Sequence, residues 1–390
     1  VYPVDLISGK VKIHNKYNFI SLDFANISWE LTANGAIIQK GQLSTPKVNP
    51  GAQVEVKIPF NQPELEPITE YHLKISFILA EKNSWAEKGH LLAWDQLQIP
   101  YETPGLMGLS IEKMSIVNLQ DSGAAYIVQG VDFKVSIGKK SGAIESINYK
   151  GRELVAKPLV PNFWRAPTDN ELGELSYSPE TKDIVKKEHW EDASKNRKVK
   201  KINIDEINTQ IVQITVLTEL PPPEKNLKTI YSIFGSGDII VENFFTPNKD
   251  MIRFGMQMEV PEELNTMTWF GKGPHETMFD RKTGAAVGIY SDKVENLIHH
   301  YVKPQENGNR TDVRWVALTD ENGSGLFVSD NGGTLLNASV WPYSMEDLAN
   351  AAHDHELPTR ENITFNIDYK QRGVGGDIPA VAVLHKEFKL

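Results

Sequence analysis

At 390 residues the chain is too long for one ordinary domain, and its 40% hydrophobic and 24% charged composition supports packed cores and argues against disorder. A formal net charge of -10 without a basic cluster argues against nucleic acid and anionic membrane as partners, and no apolar run approaches the roughly 20 residues that cross a bilayer. Cysteine is absent, which removes disulfides, thiolate zinc sites and cysteine nucleophiles together.

The opening "VYPVDLISGKVKIHNKY" has no basic n-region followed by an apolar h-region, and a chain that begins on Val1 in mid-pattern fits a fragment. Beyond it the dominant period is two. In "AQVEVKIPF", Val54, Val56 and Ile58 alternate with Gln53, Glu55 and Lys57, and "YHLKISFIL" repeats the pattern through Tyr71, Leu73, Ile75 and Phe77. "ISWELTANGAIIQKGQL" sets Asn34-Gly35 between two apolar-rich runs, a strong hairpin signal. Short strands without a helix of note predict an immunoglobulin-like β-sandwich over 1–103. "PYETPGLMG" (100–108) reads as a linker.

Strands then resume through "AAYIVQGVDFKVSI", "GAIESINYKGREL", "KINIDEINTQIVQITVLTEL", "KTIYSIFGSGDIIVENFF", "IRFGMQMEV", "RWVALTDENGSGLFVSD" and "NITFNIDY". Turn pairs Lys150-Gly151, Ser236-Gly237 and Asn322-Gly323 separate them. One helix is predicted in "SMEDLANAAHDHE", with Ser344 as cap and Glu346 and Asp347 in the first turn. The weakly periodic, charged stretch 170–200 reads as a long excursion. Residues 112–390 therefore predict one large sandwich, and the missing strand–helix alternation excludes a (β/α)₈ barrel from this chain.

Polar residues cluster in "NFWRAPTDNELG" (162–173), "WFGKGPHETMFDRKTG" (269–284), "KPQENGNRTDVRW" (303–315), and "AAHDHE" through "DYKQRGVGGD" (351–377). Metal spacing is absent: His353 and His355 at i and i+2, and adjacent His299 and His300, are expected to diverge. Neither Gly-x-Ser-x-Gly nor a phosphate-cradling glycine loop occurs. Glycoside hydrolysis needs two carboxylates roughly 5–9 Å apart. Asp169, Glu171, Glu276, Asp280, Glu306 and Asp377 are candidates, and nothing in the sequence pairs any two. The structural alternative is that Arg165 with Asp169, Arg281 with Asp280, and Arg310 with Asp312 form buried ion pairs. Phe163, Trp164, Trp269, Phe270 and Trp315 tip the balance toward a carbohydrate face.

Taken together and in order, "NFWRAPTDNELG", "WFGKGPHETMFDRKTGA", "PQENGNRTDVRW" and "YSMEDLANAAHDHEL…NIDYKQRGVGGD" resemble the C-terminal half of the bacterial β-galactosidases of glycoside hydrolase family 2, and "WAEKGHLLAWDQLQI" (85–99) resembles the sandwich domain that precedes it. The resemblance covers essentially the whole chain. It implies an all-β architecture, an immunoglobulin-like β-sandwich followed by a large galactose-mutarotase-like supersandwich. It implies a parent that hydrolyses terminal β-D-galactosides with retention. The catalytic glutamates and the magnesium ligands would lie in a barrel of the same polypeptide, so this chain carries no catalytic residue, metal ligand or cofactor of its own. Arg165, Asp169, Asn170, Glu171, Gly173 and Asp377 would form a carbohydrate-binding wall, with a movable loop starting at Gly173. Where well-known members place a sugar-stacking tryptophan after the segment matching "GVGGD", this chain has Ile378, Pro379 and Ala380. A homo-oligomer is expected, in the bacterial cytoplasm or periplasm, without nucleic acid or membrane partners.

Two other readings compete. A free-standing aldose epimerase would need His275 or His353 as acid with Glu306 or Asp377 as base, and mutarotation would reveal it. A stand-alone carbohydrate-binding module would bind glycans without reaction.

Overall fold

The structure is a computed structural model that describes residues 1–105, 108, 110–172, 188–221, 224–376 and 384–390. Strands account for 47% and helices for 9%, an all-β sandwich fold built from several antiparallel sheets. No helix among the described residues is long and apolar enough to cross a membrane. The chain divides into two compact units, Val1–Gly108 with Ala286–Ile289, and Leu109–Ala285 with Tyr290–Leu390.

In the first unit, Tyr2–Asp5, Lys10–His14 and Gln53–Lys57 form a three-stranded sheet. Ala36–Ser44, Ala25–Ala33, Tyr71–Leu79 and Leu91–Ile99 form a four-stranded one in that order. Asn34 (φ 45°) and Gly35 (φ 83°) both take the left-handed conformation of a two-residue hairpin turn, and Ala33 pairs with Ala36 across it. The alternation predicted for Tyr71, Leu73, Ile75 and Phe77 is realised, all four being buried among Val11, Ile13, Ile27, Leu31 and Ile58.

The second unit is built around a ten-stranded sheet. Its spatial order is Arg310–Val313, Leu336–Trp341, Asn362–Gln371, Arg253–Pro261, Lys157–Asn162, Ile144–Tyr149, Phe133–Gly138, Ala125–Gln129 and Asn118–Asp121, with Arg152–Glu153 pairing on Ile144–Tyr149. Two further sheets accompany it: Lys198–Asn208, Ile211–Glu219, Asn226–Phe234 and Ile239–Phe244 in one, and Thr266–Gly273, Trp315–Thr319 and Gly325–Ser329 in the other. Their inward residues share one apolar core through Val135, Ile137, Ile214, Val216, Val260, Trp269, Val316 and Phe365.

Two expectations about helices need correction. The predicted helix is confined to Met345–Asn350, where Ser344 and Asp347 form a capping box; Ala351 turns extended (ψ 134°), and a separate 3₁₀ turn follows at Asp354–Glu356. Within the charged excursion, Glu188–Lys195 is helical and seats Trp190 beside Phe163.

Candidate active-site wall

The ten-stranded sheet brings three strand ends together. Asn162 lies opposite Gly255, and Arg253 lies opposite Gln371, so the segments that follow Asn162 and Gln371 leave the sheet side by side. The first enters "FWRAPT" and a helical turn, Asp169–Leu172. The second becomes a strap, residues 372–376, whose Gly375 and Gly376 both have positive φ.

Arg165 joins the two. Its side chain is fully buried, and the guanidinium donates to Glu171 Oε1 at 2.8 Å and Oε2 at 3.4 Å. It also donates to the carbonyls of Arg372 (2.8 Å) and Gly373 (3.0 Å) and to Gln371 Oε1 (3.4 Å). All five donors of the side chain are thereby used. Glu171 also accepts from Thr168 N at 2.9 Å. Burial alone would raise its carboxyl, yet the Arg165 charge and these hydrogen bonds hold it below the usual range. Asn170 completes the junction by donating to the carbonyls of Val374 (2.9 Å) and Gly375 (3.3 Å).

A second buried cluster lies behind the first. Arg253 is wholly buried, bonds Glu306 Oε1 through Nη2, and lies 3.2 Å from Asp368 Oδ2. Gln371 donates its amide to Glu306 (3.1 Å) and Asp368 (3.2 Å) while its carbonyl takes Arg165, so the two clusters share that side chain. Burial pushes Asp368 up to about 7, with Glu306 adding repulsion against the pull of Arg253, and burial raises Glu306 as well. Gly255 makes room for Asp368: a Cβ there would stand 2.0 Å from its Oδ1.

The polar segments meet here. Gln305 accepts from Asp169 N at 3.1 Å, and Glu306 N donates to Ala166 O. Asp280 accepts from Val374 N (2.8 Å) and Gly375 N (2.8 Å). The 351–356 stretch lies instead against 300–303, through His300 Nδ1 to Asp354 (2.9 Å) and Lys303 to the Ala351 carbonyl.

This geometry redistributes the predicted roles. Arg165 and Glu171 lie behind this surface, because their polar atoms face each other and the strap; Asp169, exposed, and Asn170, half-buried, are left on it. Gly173, Asp377, Ile378, Pro379 and Ala380 lie outside the described residues. None of the three predicted ion pairs forms as drawn. Arg165 pairs with Glu171, Arg281 pairs with Glu276, and Arg310 donates to the carbonyls of Leu297, Gly308 and Pro274 while Asp312 takes Lys282. Without a carboxylate in contact, burial lowers Arg310 to about 10.

Four of the five aromatics taken for a sugar face are core residues: Phe163, Trp164, Trp269 and Phe270 are all under 5% exposed, while Trp315 is half-buried and stacks on Phe327 at 5.6 Å. His353 and His355 do not diverge; their rings stack at 5.6 Å, His353 being extended (φ -139°, ψ 152°) ahead of the 3₁₀ turn and not part of a continuous helix. Among the described residues no group of three or more His, Asp or Glu is arranged to hold a metal ion. The epimerase base Glu306 has no exposed side-chain surface, and His353 is bonded to Glu356.

Sequence reasoning missed Arg253, Asp368 and Gln371. One signal was available: Thr364, Asn366 and Asp368 form a polar stripe of period two on a strand whose other face, with Ile363 and Phe365, is also buried.

Comparison with known proteins identifies the family. The family described as "Beta galactosidase small chain" matches residues 129–390, and "Beta-galactosidase, domain 4" matches residues 11–100. The chain is similar to the β-galactosidase of Priestia megaterium, 30% identical over 99% of this chain and 37% of that protein. It is similar to that of Halalkalibacterium halodurans, 29% identical over 87% of this chain and 33% of that protein. With the enzyme of Lactobacillus delbrueckii subsp. bulgaricus it shares 28% identity, over 99% of this chain and 37% of that protein. It thus spans little more than a third of the length of these relatives. With one profile covering most of the second unit and the other most of the first, the chain belongs to the β-galactosidase small-chain family.

Proposed function

We propose that this chain is the non-catalytic C-terminal portion of a β-galactosidase and supplies one wall of its galactoside site. The observation that carries the reading is the surface pair Asp169 and Asn170, held from behind by Arg165, Glu171 and the strap, where the polar segments meet. Rigid backing suits a wall, since hydroxyl recognition needs acceptors held in place before the ligand arrives. Asp169 and Asn170 would accept hydrogen bonds from sugar hydroxyls. Retaining hydrolysis requires an acid/base and a nucleophile flanking the anomeric carbon. Glu171 and Glu306 are both buried against arginines and face no substrate. The two catalytic groups, and the magnesium that accompanies them, are assigned to a barrel elsewhere in the parent polypeptide.

The test is to incubate the purified chain at high concentration with a chromogenic β-galactoside. No turnover above buffer is expected, together with weak, saturable binding that Asp169→Ala abolishes. Turnover that disappears in Asp169→Ala would overturn the proposal by making the wall a catalyst.

A further inference from the structure

We propose that Asp280 is a positioning residue which, acting through the strap, fixes Asn170 as a hydrogen-bond acceptor toward the ligand. The inference rests on the reading of this surface as a galactoside wall, and adds to it a direction of hydrogen bonding and the residue that sets it.

The strap is gripped from both sides of its main chain. Its carbonyls are held by Arg165, at residues 372 and 373, and by Asn170, at residues 374 and 375. Its amides at 374 and 375 are held by the Asp280 carboxylate, at 2.8 to 3.0 Å. No side chain of the strap takes part in these bonds; the Gly375 amide shares its peptide plane with the Val374 carbonyl, so Asp280 sets where that carbonyl points and anchors the residue that carries the second, the Gly375 carbonyl. Packing adds to the grip: a Cβ on Gly373 would lie 2.5 Å from the Asp280 carboxyl, and one on Gly376 would lie 2.8 Å from Asn170 Nδ2.

Those two carbonyls decide which way the Asn170 amide faces. A carbonyl accepts and cannot donate, so only the NH₂ end of Asn170 can lie against a pair of them. With Nδ2 engaged twice, rotating the amide by a half-turn would bring Oδ1 against two other oxygens. Oδ1 is left for the ligand, next to the exposed Asp169 carboxylate, itself an acceptor when ionised. The surface therefore offers acceptors, and it selects ligands that present hydroxyl donors.

Amide exchange and ligand titration on the whole chain separate the two layers of this claim. In the wild type, the Asn170 side-chain NH₂ and the backbone amides of Val374 and Gly375 should exchange at least tenfold more slowly than exposed amides. Asp280→Ala should remove protection from all three, although Asp280 does not touch Asn170, while Asp280→Asn, which retains one acceptor oxygen, should keep part of it. If Asp280→Ala unfolds, Asp280→Asn decides alone. Loss of protection at 374 and 375 with Asn170 unchanged in either variant overturns the proposal.

For the ligand, methyl β-D-galactoside should bind the wild type at least tenfold more tightly than Asp280→Ala. Replacing single hydroxyls by fluorine, which cannot donate, should weaken wild-type binding at one or more positions. Fluorinated analogues that all bind equally well would overturn the acceptor assignment. A chain that shows the amide protection and binds no galactoside would overturn the wall reading and leave the Asp280–Asn170 coupling standing.

Discussion

Replacing Arg165 with alanine should destabilise the second unit by about 3–5 kcal/mol, the usual result of removing one partner of a buried ion pair. The upper half of that range is expected, for two structural reasons. Glu171 has only 6% of its side chain exposed, so it cannot rehydrate where it stands. The carbonyls of Arg372 and Gly373 also lose their donor, at about 1–3 kcal/mol for each group left unsatisfied in the interior. The double variant Arg165→Met/Glu171→Leu removes the stranded charge along with its partner. It should recover at least about 2 kcal/mol over the single variant, since apolar replacement of a whole buried pair is often neutral or better. Urea unfolding followed by tryptophan fluorescence suits the measurement, because Trp164 and Trp190 are buried in the neighbouring apolar cluster. A cost below about 1 kcal/mol for Arg165→Ala, or a double variant no more stable than the single one, would show that the clamp does not hold the two segments together.

Other outcomes follow from the same region. Asp368 titrates near 7 in the fold against 3.8 as a free side chain, so the folded state binds more protons between those values. Its contribution is therefore full below about pH 4 and lost as pH rises through 7; Asp368→Asn should flatten the stability curve in that window, and an unchanged slope in pH-dependent urea titrations would contradict it. Gly255→Ala sets a methyl 2.0 Å from Asp368 Oδ1 and 2.7 Å from its Cα, and should cost about 1–3 kcal/mol or more, whereas Gly284→Ala, with nothing within 4 Å, should stay within about 0.5 kcal/mol in the same assay. Ser344→Ala removes the capping box of the helix that buries Leu348, and a loss of about 1 kcal/mol is expected from thermal or chemical unfolding.

What could be read from the sequence were features decided locally. Asn34-Gly35 dictates a two-residue turn because few other residues adopt positive φ in succession, and alternation at Tyr71–Phe77 follows from the geometry of a strand with one buried face. The four polar segments were also legible as clusters, and residues of each meet around Arg165 and the strap. The partners within it were another matter. Arg165 has Asp169 four residues away and Glu171 six away, and the helical turn at Asp169–Leu172 directs the more distant acid inward. Asp280 stands next to Arg281 in sequence, yet the turn closed by the Met278–Arg281 bridge sends them to different jobs, one to the strap and the other to Glu276. Four of the five aromatic residues in the sugar-like vocabulary, all but Trp315, proved to be core, because a sandwich of this size needs large side chains between its sheets. Pairing across 207 residues, as between Arg165 and the Arg372 carbonyl of the strap, leaves no mark in local periodicity.

The buried ions behind Asp169 and Asn170 also have a thermal consequence. Hydration of charged groups carries a strongly negative entropy, so the penalty for keeping Arg165, Glu171, Arg253 and Glu306 away from water falls on warming and grows on cooling. Apolar burial weakens on cooling too. Chilling therefore acts twice against the backing of this surface, through its ions and through the cluster of Phe163, Trp164 and Trp190 beside them.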